Sequence, residues 1–140
     1  MAGYSGTPLS KRLGIKAGSR VALLHAPEGF IDTLGELPHG VTVTRSPKGP
    51  LDVIVAFITE RAHLESAIGL LEKATFPNGG IWIALPKKAS KVPTDMSDHV
   101  VREVALPRGL VDNKVCAIDD VWSGFRIVWR VERRQGPPPG

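Results

Sequence analysis

The sequence predicts an α/β protein, a three-layer sandwich in which helices cover both faces of a mostly parallel sheet. Three observations predict it. Residues 51–58 (LDVIVAFI) and 81–85 (IWIAL) are nearly unbroken apolar runs, the signature of strands covered on both faces. Between them, Leu64, Ala67, Ile68 and Leu71 fall at the i, i+3, i+4, i+7 spacing of one helix stripe. Strand-like and helix-like segments alternate along the chain, as crossover units require.

Taken in order, residues 1–19 are rich in Gly, Ser, Lys and Pro. They predict an arm with one short helical turn, docked through Leu9, Leu13 and Ile15. Residues 20–25 are a short apolar run that Ala26-Pro27 stops, so a buried strand. Residues 28–37 suit a short helix interrupted by Gly29 and Gly35. The β-branched run Val41-Thr42-Val43-Thr44 is a second strand, ended by Ser46-Pro47-Lys48-Gly49-Pro50. After the strand at 51–58, Thr59 is the expected N-cap, with Glu60 favourably placed on the helix dipole. Pro77-Asn78-Gly79-Gly80 is expected to close that helix.

Beyond 81–85, Pro86 to Pro93 reads as a polar loop carrying Lys87, Lys88 and Lys91. Thr94 or Asp95 is the expected cap of a further helix that buries Val100, Val101 and Val104 and ends at Pro107 and Gly109. Residues 111–119 read as a strand and 120–124 as a turn. Phe125, Ile127, Trp129 and Val131 then alternate with Arg126, Val128 and Arg130 in a last strand, antiparallel to its predecessor. Residues 20–134 are expected to form a single domain. The Pro/Gly-rich stretch 135–140 is expected to be a disordered tail.

Composition bounds the function. With 140 residues, 42% hydrophobic and 23% charged, the chain is large enough to bury a core without disulfides. A single cysteine fits a reducing compartment. No apolar run approaches the ~20 residues of a membrane span, and the start of the chain has no signal-peptide pattern. The expectation is a cytoplasmic protein with no membrane contact. Eighteen basic against fourteen acidic residues give +4, but the distribution says more. Met1 to Pro27 carries Lys11, Arg12, Lys16 and Arg20 and no acid. That pattern reads either as a solvated basic face or as attraction to an anionic partner. Nucleic acid is the less expected partner. Aromatics are only 6% of the chain, and Trp82 and Trp129 read as core, so stacking surfaces are scarce.

Residues 50–86 resemble the second half of a class I S-adenosylmethionine-dependent methyltransferase. Leu51-Asp52-Val53-Ile54-Val55 is similar to that family's fourth strand. The helix ending in Phe76-Pro77-Asn78-Gly79-Gly80, followed by Ile81-Trp82-Ile83, is similar to its passage into the fifth strand. The closing helix, strand and antiparallel strand fit the family's C-terminal layout. The resemblance implies a Rossmann-like sandwich whose last strand lies beside residues 81–85. Three features depart from the family pattern. The turn after the first strand, His25-Ala26-Pro27-Glu28-Gly29-Phe30, holds one glycine and a proline where the family is glycine-rich. Arg45-Ser46 stands where the family carries a ribose-binding acid. A strand–helix unit is missing before Leu51. The chain also resembles a family of small bacterial proteins without assigned function, in Gly3-Tyr4-Ser5-Gly6-Thr7-Pro8, Pro86-Lys87-Lys88 and Trp122-Ser123-Gly124.

Ligands of open α/β sheets bind beyond the carboxyl ends of the strands. The candidate ligand-binding residues are therefore His25 and Glu28, Lys87 and Lys88, and Asp119, Asp120 and Trp122. The lysines suit an anion as point charges, or simply offset the two aspartates. Trp122 is a lid over the core or a stacking surface. Cys116 lies in an apolar strand and reads as core. His25, His39, His63 and His99 show no zinc-type spacing, and neither a nucleophile paired with a base nor a phosphate loop is visible. The expected function is a non-catalytic binding or regulatory module for an anionic small molecule or a protein partner, with no cofactor. The alternative is a divergent methyltransferase that binds S-adenosylmethionine.

Overall fold

The computed structural model of the chain describes residues 7–134. Among them, six strands form one sheet: β1 (Arg20–Leu24), β2 (Thr42–Thr44), β3 (Leu51–Phe57), β4 (Thr75–Pro86), β5 (Leu110–Ala117) and β6 (Trp122–Trp129). Their order across the sheet is β2-β1-β3-β4-β6-β5. β1 lies parallel to β2 and β3, and β3 parallel to β4, whereas β6 runs antiparallel to both β4 and β5. The helices are α1 (Leu9–Arg12), α2 (Phe30–Leu34), α3 (Arg61–Ala74), α4 (Asp98–Ala105) and α5 (Val131–Arg134). The expected mixed α/β sheet with an antiparallel C-terminal hairpin is what forms.

Strict alternation along the central strands sorts the core into two layers. On one face Leu24, Ile54, Ala56, Ile81, Ile83 and Leu85 pack under α3 and α4. On the other, Val21, Leu23, Val55, Phe57, Trp82 and Ala84 pack under α1 and α2. The α3 stripe is the one its spacing predicts: Leu64, Ile68 and Leu71 are buried, and Ala67 packs against them. Each such leucine or isoleucine contributes about 2 kcal/mol. The arm docks through Leu9, Leu13 and Ile15, and the Trp82 indole N–H donates to the Leu13 carbonyl at 2.9 Å.

Several boundaries differ from the sequence expectation, each for a tertiary reason. α3 begins at Arg61, not after Thr59, and the Asp95 carboxylate accepts from the Arg61 N–H at 2.7 Å. A side chain from another segment therefore satisfies the helix start. α4 is capped by Ser97, whose hydroxyl accepts from Val100 N–H, not by Thr94 or Asp95. The Pro77–Gly80 stretch does not close α3. The helix stops at Ala74, Thr75 pairs with Leu51, and the chain runs through a bulge into the regular part of β4. Gly79 belongs to that bulge because a Cβ there would lie 2.7 Å from the Asp52 carbonyl. β6 begins at Trp122, shortening the expected turn, and Val131 opens α5 instead of extending the strand. Arg133 anchors α5: it donates to Glu72 at 2.7 Å and lies 4.3 Å from the Trp129 ring centre. The expected tail, residues 135–140, lies outside the described residues, as do residues 1–6.

The link from β2 to β3 matters most for the site. Parallel strands are usually joined through a helix, which needs about a dozen residues. Residues 45–50 are too few, so they cross the sheet without one. The crossing is tight: a Cβ on Gly49 would lie 2.8 Å from Ala74 Cα, at the end of α3. The α3 layer therefore has no second helix over β1 and β2.

Candidate functional site

The chain leaves β1 for β2 through α2 on one face and leaves β3 for β4 through α3 on the other. β1 and β3 are hydrogen-bonded neighbours, so the topological switch point lies between their carboxyl ends. Crevices at such points are where open α/β sheets seat ligands.

On the α2 face, this edge is filled by aromatic rings. Phe30 meets Phe57 edge-to-face at 4.8 Å, and Phe57 meets Trp122 edge-to-face at 5.0 Å. Phe30 is 2% exposed and Phe57 4% exposed. The proline and single glycine after β1 bring this about. Gly29, with φ +82°, starts α2 one residue before Phe30, which turns the Phe30 ring onto the end of β3.

On the α3 face, the same edge is open. A cavity of about 370 Å³ is lined by Leu24, Ala56, Ile58, Ala67, Leu70 and Leu71, with His25, Arg45, Pro47 and His63 among its walls. It occupies the ground that the missing crossover helix leaves uncovered, which is why Leu70 is 54% exposed. His25 follows β1 directly and lies in the left-handed region, φ +58°. Such a backbone is uncommon for a residue other than glycine, and outliers of this kind cluster at functional positions. Its ring meets that of His63 edge-to-face at 4.8 Å.

The seven sequence candidates share the carboxyl edge but divide between the faces. His25 lines the α3-face cavity, and Glu28 is exposed two residues before Phe30. Lys87 and Lys88 line a smaller cavity, about 250 Å³, with Met96, Ser97, Asp98 and Phe125 on the α4 face. Trp122 packs on the α2 face. Adjacency of Lys87 to the hairpin turn is real: its N–H donates to the Val121 carbonyl at 2.7 Å, and Pro86 is in register with Trp122. The Asp119 carboxylate accepts from the N–H groups of Val121 and Trp122, both at 2.8 Å, and so builds the turn. Asp120 is exposed.

Sequence reasoning missed Arg45 and His63 as wall residues. His63 precedes the α3 stripe by one residue, and nothing local pairs it with His25. Cys116 is half-buried and packs against the α1 and α2 layer instead of lying wholly in the core. Burial pushes its thiol up, partly offset by the charges of Arg12 and Lys114. Among the described residues, no group of three or more His, Cys, Asp or Glu could hold a metal ion. No helix among them is long and apolar enough to cross a membrane.

No family model matches the chain, and no curated protein matches it. Solved structures do. An S-adenosylmethionine-dependent methyltransferase from Aquifex aeolicus superposes with a TM-score of 0.61 at 18% identity, over 84% of this chain and 85% of that one. The DhpI–SAH complex gives 0.62 at 13% identity, over 88% and 83%. The fibrillarin pre-rRNA processing protein of Methanococcus jannaschii gives 0.56 at 14% identity, over 83% and 68%. Such likeness at low identity is one of fold: the chain has the Rossmann-like architecture of the class I S-adenosylmethionine-dependent methyltransferases.

Proposed function

We propose that this protein is a non-catalytic binding module on a methyltransferase-like fold. Its ligand seat is the switch-point cavity on the α3 face. The observation that carries this reading is the ring ladder of Phe30, Phe57 and Trp122, which fills the carboxyl edge on the α2 face. A nucleoside cofactor needs an open bed at the strand ends and a close backbone approach. The residues present fit S-adenosylmethionine poorly: a phenylalanine packs over the first turn, and Arg45 follows β2 where an acid would be wanted. The α3-face cavity instead offers an apolar floor with His25, His63 and Arg45 at its walls. That lining suits a small molecule with an apolar body and an anionic head. Of the seven sequence candidates, His25 belongs to this seat. Lys87 and Lys88, with exposed Asp120 nearby in the hairpin turn, are assigned to contact with a protein partner.

Calorimetry with S-adenosylmethionine and its demethylated product tests the reading. The expected result is no saturable heat at ~1 mM of either, a ceiling that bounds binding to about −4 kcal/mol. Micromolar binding that Phe30→Trp abolishes would overturn it. The second reading, a divergent methyltransferase, draws support from the fold likeness to proteins described as S-adenosylmethionine-dependent. That same micromolar binding would establish it.

A further inference from the structure

The acid-free basic segment at the start of the chain has a structural destination at the opposite, amino edge of the parallel strands. A cavity of about 330 Å³ there is lined by Arg12 and Lys16 from the arm, Lys114 from β5 and Arg126 from β6, with Ser19, Asp52, Asn78 and Gly79 completing the wall. The four cations come from two distant segments, residues 12–16 and 114–126, so no local charge run explains their convergence. The strand pairing does. Lys114 and Arg126 are in register across the hairpin, and Arg126 is in register with Trp82. All three side chains therefore fall on the α1 face. Trp82 in turn holds Leu13 by its indole N–H, which sets Arg12 and Lys16 on either side of the anchor.

The arginines are held in place. The Arg12 guanidinium donates to the Ala117 carbonyl at 3.1 Å. The Arg126 guanidinium lies over Gly80, where an added Cβ would come within 2.8 Å of its central carbon. Glycine at that position makes the room. The one carboxylate among the described wall residues, Asp52, accepts from the Arg20 N–H at 2.8 Å. Lys16 and Lys114 form no ion pair with another described residue. Among the described wall residues, four cations face one carboxylate, and this excess of positive charge sits in a concave, largely polar setting, where field lines converge.

We infer that this amino-edge cavity binds the phosphate chain of a small phosphorylated molecule, through Arg12, Lys16, Lys114 and Arg126. Paired arginine forks and lysine point charges are the donors such groups take. The described wall recognises charge and not a base, because Trp82, the aromatic among its described residues, is 1% exposed and offers no face for stacking. That favours a di- or triphosphate over a nucleic-acid strand. The site is independent of the switch-point cavity and stands whether or not that cavity binds a ligand.

Calorimetry at about 50 mM salt, where screening is weak, tests the inference with inorganic pyrophosphate, inorganic triphosphate, ATP and a single-stranded oligonucleotide. Pyrophosphate is expected to bind with a Kd below ~1 mM. Lys114→Ala and Lys16→Ala, both at exposed positions, are each expected to weaken it by about tenfold or more. Lys91→Ala removes the same charge from an exposed position in the loop at the other edge and is expected to change affinity by less than about twofold. ATP and triphosphate binding alike would identify the phosphate chain itself as the ligand. ATP binding at least ~10-fold more tightly than triphosphate would show that the nucleoside is held as well and would overturn recognition by charge alone. The inference is overturned if neither inorganic anion binds at ~5 mM. It is equally overturned if Lys91→Ala weakens binding as much as Lys114→Ala, or if the oligonucleotide binds more tightly than pyrophosphate with no effect of Lys114→Ala.

Discussion

Replacing Trp82 by phenylalanine should loosen the arm from the sheet, and the size of the effect follows from the structure. The indole is 1% exposed and its N–H donates to the Leu13 carbonyl at 2.9 Å. Phenylalanine fills most of the same volume but has no donor. Losing the hydrogen bond and leaving the buried Leu13 carbonyl unsatisfied costs about 1–3 kcal/mol. The ring atoms that phenylalanine lacks are worth roughly another 1 kcal/mol in lost burial. The sum is about 3 kcal/mol. For a domain of this size, each kcal/mol lowers Tm by roughly 2–4 °C, so Trp82→Phe should melt about 10 °C below the parent. The second readout is limited trypsin digestion. Lys11 and Lys16 are exposed on the arm, so cleavage there should accelerate well before global unfolding. A Tm change under ~3 °C with unchanged arm cleavage would show that the indole bond does not anchor the arm.

Two further outcomes are expected. Glu103 tethers α4 to α3 through Arg61 at 2.7 Å. The Arg61 hydrogen bond, helped by the charge of His99, holds its carboxyl below the ordinary value of 4.5. A depressed carboxylate stabilises the fold fully above its unfolded value and loses that contribution as pH falls through the folded one. Thermal melts of the parent and Glu103→Gln should therefore differ at pH 6, and the difference should shrink progressively as pH falls below 4.5; a difference that stays constant as the pH is lowered would refute the linkage. Gly49→Ala forces the crossing segment away from Ala74, since backbone and not a flexible side chain occupies the space. Overpacking of that kind costs about 1–3 kcal/mol, and denaturant titration showing an unchanged midpoint would count against so close an approach.

The central fold was legible because its signals are local and redundant. Doubly covered strands must be apolar at every position, and a one-sided helix must repeat its stripe, so residues 51–58, the Leu64–Leu71 stripe and residues 81–85 declared themselves. Even the shortened link before Leu51 could be counted from the chain. Caps and boundaries were harder, because the donors at the start of α3 are satisfied by Asp95 from a distant loop, and the end of α3 was decided by pairing of Thr75 with Leu51.

The binding surfaces were the least legible. The carboxyl edge was expected as one site, but the sheet is a wall: alternate residues of one strand end on opposite faces. Lys87 and Lys88, beyond the end of β4, line the cavity beside α4, whereas Trp122 packs with the α2 layer and His25 lines the notch beside α3. The basic arm was visible as composition alone. By itself, the sequence determined the layered α/β architecture and the excess of positive charge near its start, since both are properties of residues close together in the chain. Tertiary structure alone decided that Phe30, Phe57 and Trp122 meet and that Arg12, Lys16, Lys114 and Arg126 converge. Those neighbours are set by strand order and register, which bring together residues that share no segment of the chain.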